Sequence, residues 1–280
     1  MTHDTRTATA VVTDQPTVVP DPVCMLTAAQ ESFADLLAGA DPEAAVPTCA
    51  PWRVADLALH LAGVHWWASA MALGVSLGGP DPSTPRETER LVEIYGWASG
   101  HLRATLLERP LEAPALTLDG PGYAGFWYRR QLHETLVHLV DLGVATGRRA
   151  PDVARDTPAA VWADTVDEVV TVMHPRQVRL GRAPAPTVAV DLVATDVHGP
   201  SGAIVIAPPH STWRIGPSGG LSDADGAPAA APDAVVTGPA WALALLVWGR
   251  VDADDPHLEI TGGADRTAAV RSVLGRTLVP

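Results

Sequence analysis

The chain has 280 residues and a mass of 29.3 kDa, of which 47% is hydrophobic, enough for one large core or two ordinary ones. A formal net charge of -13 opposes nucleic-acid phosphates and anionic membrane surfaces, so neither is an expected partner and a small molecule is. All 19 Lys-plus-Arg positions are arginine, which excludes Schiff-base catalysis by a lysine side chain. Cys24 and Cys49 are too few for a disulfide framework and read as reduced, buried structural thiols. No apolar run approaches the roughly 20 residues that cross a bilayer, and the start lacks the order of a signal peptide. A cytoplasmic location is expected.

Residues 1–21, rich in Thr, Val and Pro without helical periodicity, read as a flexible leader. From Cys24, apolar Leu26, Phe33, Leu36 and Leu37 recur at helical spacing and stop at Gly39, giving a first helix. A turn at Ala50-Pro51 precedes a second helix that carries His60 and ends near Gly74. A Gly/Pro-rich loop follows, and Thr84 before Pro85 is expected to cap a third helix. After a turn-rich connector, Leu132, Leu136, Leu139, Val140 and Val144 mark a fourth helix ending at Gly147. Residues 22–150 therefore predict a helical bundle, in which sites are built from facing helices. Residues 151–280 predict a smaller α/β domain: a helix around VWADTVDEVVTVM, strands at TVAVDLVAT, GAIVIA and STWRI, and helices at GPAWALALLVWGR and RTAAVRSVL. The fold class is α+β.

Glu134 and His138 lie four residues apart, which at about 100 degrees per residue places them within about 40 degrees on one helix face. Both can reach one ion. His133 and His138 diverge by about 140 degrees on the same arithmetic, so HETLVH is not the HExxH protease motif. His60 sits in an otherwise apolar helix, where an unpaired imidazole is unfavourable, and is the natural third ligand. His65, five residues on, should point away from that face and remains a candidate pocket-lining residue. The competing reading makes these histidines hydrogen-bonded core residues and pairs Glu134 with Arg130 as an ordinary surface contact.

The segments VPTCAPWRVADLALHLAGVHWWA, GFWYRRQLHETLVHLVDLGVATG and VVTGPAWALALLVWGR, in this order, resemble the mycothiol-dependent maleylpyruvate isomerase family, whose first domain is a DinB-like four-helix bundle. The resemblance spans nearly the whole chain after the leader, with PTCAPW standing where the family usually reads PTCPGW. It implies zinc held by His60, Glu134 and His138, and mycothiol or a related low-molecular-weight thiol as cofactor. Three protein ligands leave tetrahedral zinc an open position where a thiol binds as thiolate. The implied reaction adds that thiolate to an activated double bond of an unsaturated acid, allows rotation, and expels it.

Several further side chains are candidates. Arg129 and Arg130 could fork onto substrate carboxylates or form a solvated basic patch. Arg250 could contribute a charge to a cleft shared between the domains, and Asp141, one turn beyond His138, could orient that ligand. Trp52, Trp66, Trp67, Trp97 and Trp127 could wall a pocket or simply fill the core. Alternative functions are a thiol S-transferase, a thiol-independent zinc enzyme acting as Lewis acid, and a non-catalytic small-molecule-binding protein. Oligomeric state is not legible.

Overall fold

The computed structural model describes residues 21–75, 86–197, 211–217 and 230–274. The expected leader lies outside these residues apart from Asp21, as do Thr84 and the strand expected at 202–207.

Helix α1 (Pro22–Ala38) starts where the Asp21 carboxylate accepts the amides of Val23 at 2.8 Å and Cys24 at 3.3 Å, with Pro22 in the first turn. It buries Leu26, Ala29, Phe33 and Leu37, one stripe at helical spacing. Helix α2 (Val54–Ala72) is capped by Asp56, whose carboxylate accepts the Arg53 amide at 2.8 Å. Helices α3 (Thr88–Leu107) and α4 (Gly125–Ala145) complete the set. Helix α2 packs on α3, α3 on α1, α1 on α4 and α4 on α2, which closes a four-helix bundle. Gly147, at φ +84°, ends α4 by turning the chain so that the Arg148 amide donates to the Gly143 carbonyl at 2.9 Å.

The connector before α4 is an antiparallel hairpin of β1 (Pro114–Thr117) and β2 (Gly120–Tyr123). Its second strand reads Gly-Pro-Gly-Tyr, so no apolar alternation announces it. The hairpin is tied to α4 by Trp127, whose indole N–H donates to the Leu116 carbonyl at 2.6 Å.

Beyond the bundle come α5 (Ala150–Ala154) and α6 (Ala159–Glu168), which runs through one π-helical turn, Val169–Met173, into α7 (His174–Arg179). Strands β3 (Val190–Ala194), β4 (Thr212–Ile215), β5 (Ala234–Gly238) and β6 (Glu259–Gly262) form a sheet in the order β4-β3-β5-β6. Its central pair β3 and β5 is parallel, with Leu192 opposite Val236, and both outer pairs are antiparallel. The central strand β3 is buried along nearly its whole length, whereas β5 alternates buried and half-buried residues. Helices α8 (Ala240–Val247) and α9 (Arg266–Val273) pack on the sheet, and α8 also packs on α6. The architecture is thus α+β, a helical bundle followed by a smaller sheet-containing part.

One buried apolar cluster runs from Leu26 and Trp127 in the bundle through Trp162 and Val166 of α6 to Leu192, Trp213 and Leu243 around the sheet. Full burial of each such side chain contributes roughly 1.5–3 kcal/mol, and the cluster joins the helical and sheet parts through shared apolar contacts. A second cluster, with Phe33, Leu57, Leu61, Tyr95 and Leu142, fills another part of the bundle. Among the described residues no helix is long and apolar enough to cross a membrane.

Candidate metal centre and its cavity

Helices α2 and α4 lie side by side, and their facing surfaces bring His60, Glu134 and His138 together. Oε1 of Glu134 lies 3.2 Å from Nε2 of His60 and 3.2 Å from Nε2 of His138. Ligands about 2.0–2.1 Å from a tetrahedral ion stand about 3.3 Å from one another, so the donor set fits zinc in both type and spacing. The other ring nitrogen of His138, Nδ1, donates to Asp141 Oδ2 at 2.8 Å, which leaves the Nε2 lone pair facing the Glu134 carboxylate. Two acceptors at that separation need positive charge between them, either a proton on the imidazole or a metal ion.

The remaining oxygen of Glu134 is taken by Arg130, whose guanidinium also donates to Glu168 Oε2 at 2.8 Å. Burial alone would raise the Glu134 pKa, yet Arg130 and the two imidazoles hold it well below the usual carboxylate range. Burial would lower the pKa of His138, and its bonds to Asp141, Cys49 and Glu134 outweigh this and raise it. Asp141 is fully buried and also accepts Arg250 Nη2 at 3.0 Å, so a residue that follows α8 is clamped onto α4 beside the ligand histidine. Burial opposes this charge on Asp141 too, and His138 with Arg250 depresses its pKa far below normal.

The trio borders a cavity of about 610 Å³. Its walls include Trp52, Trp67 and Trp248, and its arginines are Arg130, Arg176, Arg182 and Arg250. Arg176 donates to the Leu118 carbonyl at 3.1 Å, whereas Arg182 is exposed and makes no side-chain hydrogen bond among the described residues. Bundle and sheet-containing part both contribute walls, as the expectation for Arg250 requires, although its guanidinium is committed to Asp141.

Of the expected site residues other than the trio, Arg250, Trp52 and Trp67, Arg130 alone lines the cavity. Arg129 is buried against Asp164 and Asp167, 2.8 Å from the latter, and does not line the cavity, because α6 supplies carboxylates that the sequence could not place opposite it. Arg130 lines the cavity but spends its donors on Glu134 and Glu168, so its contact with Glu134 is an interior one. Trp127 is fully buried behind the pocket, edge-on to Trp67 with ring centres 5.1 Å apart. Trp66 and Trp97 stack with His101 away from the cavity, Trp97 being 59% exposed. His65 is fully buried between Gln30 and Gln131, off the cavity, and burial pushes its pKa down to about 4. His133 hydrogen-bonds to Glu168 through Nδ1 at 2.9 Å and has Nε2 3.1 Å from Asp164 Oδ2, on the helix face turned from the trio, as the five-residue spacing demands.

Both cysteines depart from the buried, inert expectation. Cys24 is exposed because it occupies the outer face of α1. Cys49 is half-buried on the cavity wall, its Sγ 3.2 Å from Asp141 Oδ2 and 3.2 Å from Arg250 Nη2. Gln131 escaped the sequence reading, although its place three residues before Glu134 put it on the same face.

Residues 26–143 match the family described as mycothiol maleylpyruvate isomerase N-terminal domain. No curated protein matches the chain significantly. Two solved structures share its fold: the mycothiol-dependent maleylpyruvate isomerase, at TM-score 0.56, and the H-to-A mutant of that enzyme, at TM-score 0.57. Each is 14% identical and covers 88% of this chain and 94% of its own. The likeness to the mycothiol maleylpyruvate isomerase N-terminal domain family thus spans residues 26–143, the stretch that contains His60, Glu134 and His138.

Proposed function

We propose that the chain is a zinc enzyme that uses a low-molecular-weight thiol of the mycothiol type to isomerise a small unsaturated carboxylic acid. The observation that carries this reading is the convergence of His60 Nε2, Glu134 Oε1 and His138 Nε2 at the edge of a ligand-sized cavity. When bound, zinc supplies an open coordination position that keeps a thiol deprotonated near neutral pH, and the thiolate supplies reversible addition to an activated double bond.

The chain's own residues prepare that chemistry. Arg130 fixes one oxygen of Glu134 so that the other faces the imidazoles, and Asp141 fixes the ring of His138. Trp52, Trp67 and Trp248 cover the cavity with apolar surface and limit water beside the reacting atoms. Arg182, at the cavity wall and without a side-chain hydrogen bond among the described residues, offers a bidentate donor to a substrate carboxylate.

Elemental analysis of the purified chain and of His60→Ala, Glu134→Ala and His138→Ala variants tests the metal. About one zinc per chain, lost in the variants while circular dichroism is preserved, supports the reading; no metal after reconstitution sinks it. Isomerisation of a cis-unsaturated acid that needs added thiol and leaves its concentration unchanged supports the reaction. Thiol consumption would indicate S-transfer, and full activity without thiol would indicate Lewis-acid catalysis.

A further inference from the structure

A line of buried polar side chains leads to the cavity from the far side of the bundle. Arg103 Nη1 donates to Gln30 Oε1 at 2.8 Å, Gln30 Nε2 lies 3.2 Å from His65 Nε2, and His65 Nδ1 lies 2.8 Å from Gln131 Oε1. Gln30, His65 and Gln131 are each at most 1% exposed. An arginine only donates, so the direction of the whole line is set at its origin. Gln30 must present its oxygen to Arg103 and its amide N–H to His65. His65 must then accept at Nε2 and carry its proton on Nδ1, which donates to the Gln131 oxygen. Burial keeps His65 neutral above about pH 4, as one donor and one acceptor require.

The line ends on Gln131 Nε2, which has no partner among the described residues although the side chain is fully buried and lines the cavity. Buried amide donors are almost always paired, so an unpaired one beside a cavity marks a place for a ligand acceptor. A second buried donor on the same wall, the indole N–H of Trp248, also has no partner among the described residues. Gln131 lies one helical turn from Glu134, on the face that carries the trio.

We propose that Gln131 is a substrate-binding, specificity-determining residue whose Nε2 donates to a carboxylate or carbonyl oxygen of the cavity's ligand, the Arg103–Gln30–His65 line dictating that a donor, not an acceptor, faces it. The inference takes the cavity as the ligand site and rests in that respect on the proposed function. It selects acceptor oxygens at this point, the charged oxygens of a carboxylate above the neutral oxygen of an amide, and rejects ammonium groups, which would meet N–H with N–H.

Calorimetric titration of the zinc-reconstituted chain with maleate, a small unsaturated dicarboxylate, and with maleamate tests this. The unaltered chain should bind maleate, and Gln131→Glu, which presents a carboxylate oxygen to the cavity, should bind it at least roughly tenfold more weakly while retaining its zinc. The preference for maleate over maleamate should narrow or reverse. Should Gln131→Glu fail to fold, the side-chain amide resonance of Gln131 in the unaltered chain should move on adding maleate. Equal maleate affinity in Gln131→Glu, an unmoved amide resonance, or zinc binding with no maleate binding in the unaltered chain would each overturn the inference and leave the metal reading intact. Maleate binding that depends on Gln131 in a chain that takes up no zinc would sustain the inference and remove the metal.

Discussion

The Asp141 carboxylate lies 2.8 Å from Nδ1 of His138 and accepts the Arg250 guanidinium through both of its oxygens. One buried anion therefore sets the orientation of a candidate metal ligand and joins the end of α8 to the bundle. In Asp141→Asn, His138 loses its carboxylate acceptor and Arg250 its counter-charge. Zinc affinity should fall about 10–100-fold, read by competition with a chromophoric chelator, and the chain should lose about 3–5 kcal/mol of stability, read by urea unfolding.

Glu168 is fully buried and its Oε2 receives both Arg130 at 2.8 Å and His133 at 2.9 Å. Glu168→Gln removes the charge that balances Arg130 while keeping the shape. The expected loss is about 3 kcal/mol, because a buried guanidinium is left half-compensated. An unchanged urea midpoint would show that Glu134 suffices to balance Arg130.

Gly143 of α4 faces α5 so closely that an added Cβ would stand 2.5 Å from Cγ2 of Val153. Gly143→Ala should destabilise the chain by about 1–3 kcal/mol through overpacking. Adding Val153→Ala should restore much of the loss, and thermal unfolding of the single and double variants measures both effects.

His65 gives the chain a pH response of defined sign. The unfolded chain takes up a proton near the ordinary value of 6.5, whereas burial holds the folded group at about 4. Between these values the unfolded state binds more protons, so stability is fully present above about pH 6.5 and falls as pH drops through about 4. The loss amounts to roughly 3 kcal/mol. Unfolding free energies between pH 7 and 4 should show a slope that His65→Gln reduces.

The helical arithmetic on α4 carried far because a helix converts spacing into direction without outside help. Glu134 and His138 share a face, and His133 points instead to Asp164 and Glu168. The Gly147 stop and the apolar stripe of α1 follow from the same local rules. The hairpin at 114–123 escaped because its strands lack alternation, and the roles of Arg129, His65 and Trp127 escaped because each depends on partners distant in sequence.

By itself the sequence determined the four bundle helices, which of their side chains share a face, and that the chain holds histidine and carboxylate of the kind a divalent ion needs; the short helices Ala150–Ala154 and His174–Arg179 were not legible in it. Only the tertiary structure decided which charges meet. Arg129 turns to Asp164, 35 residues on, and Arg250 reaches Asp141 across 109 residues and Cys49 across 201. Local geometry is written in residue spacing, whereas a buried charge chooses its partner only after packing has removed water and brought distant segments together.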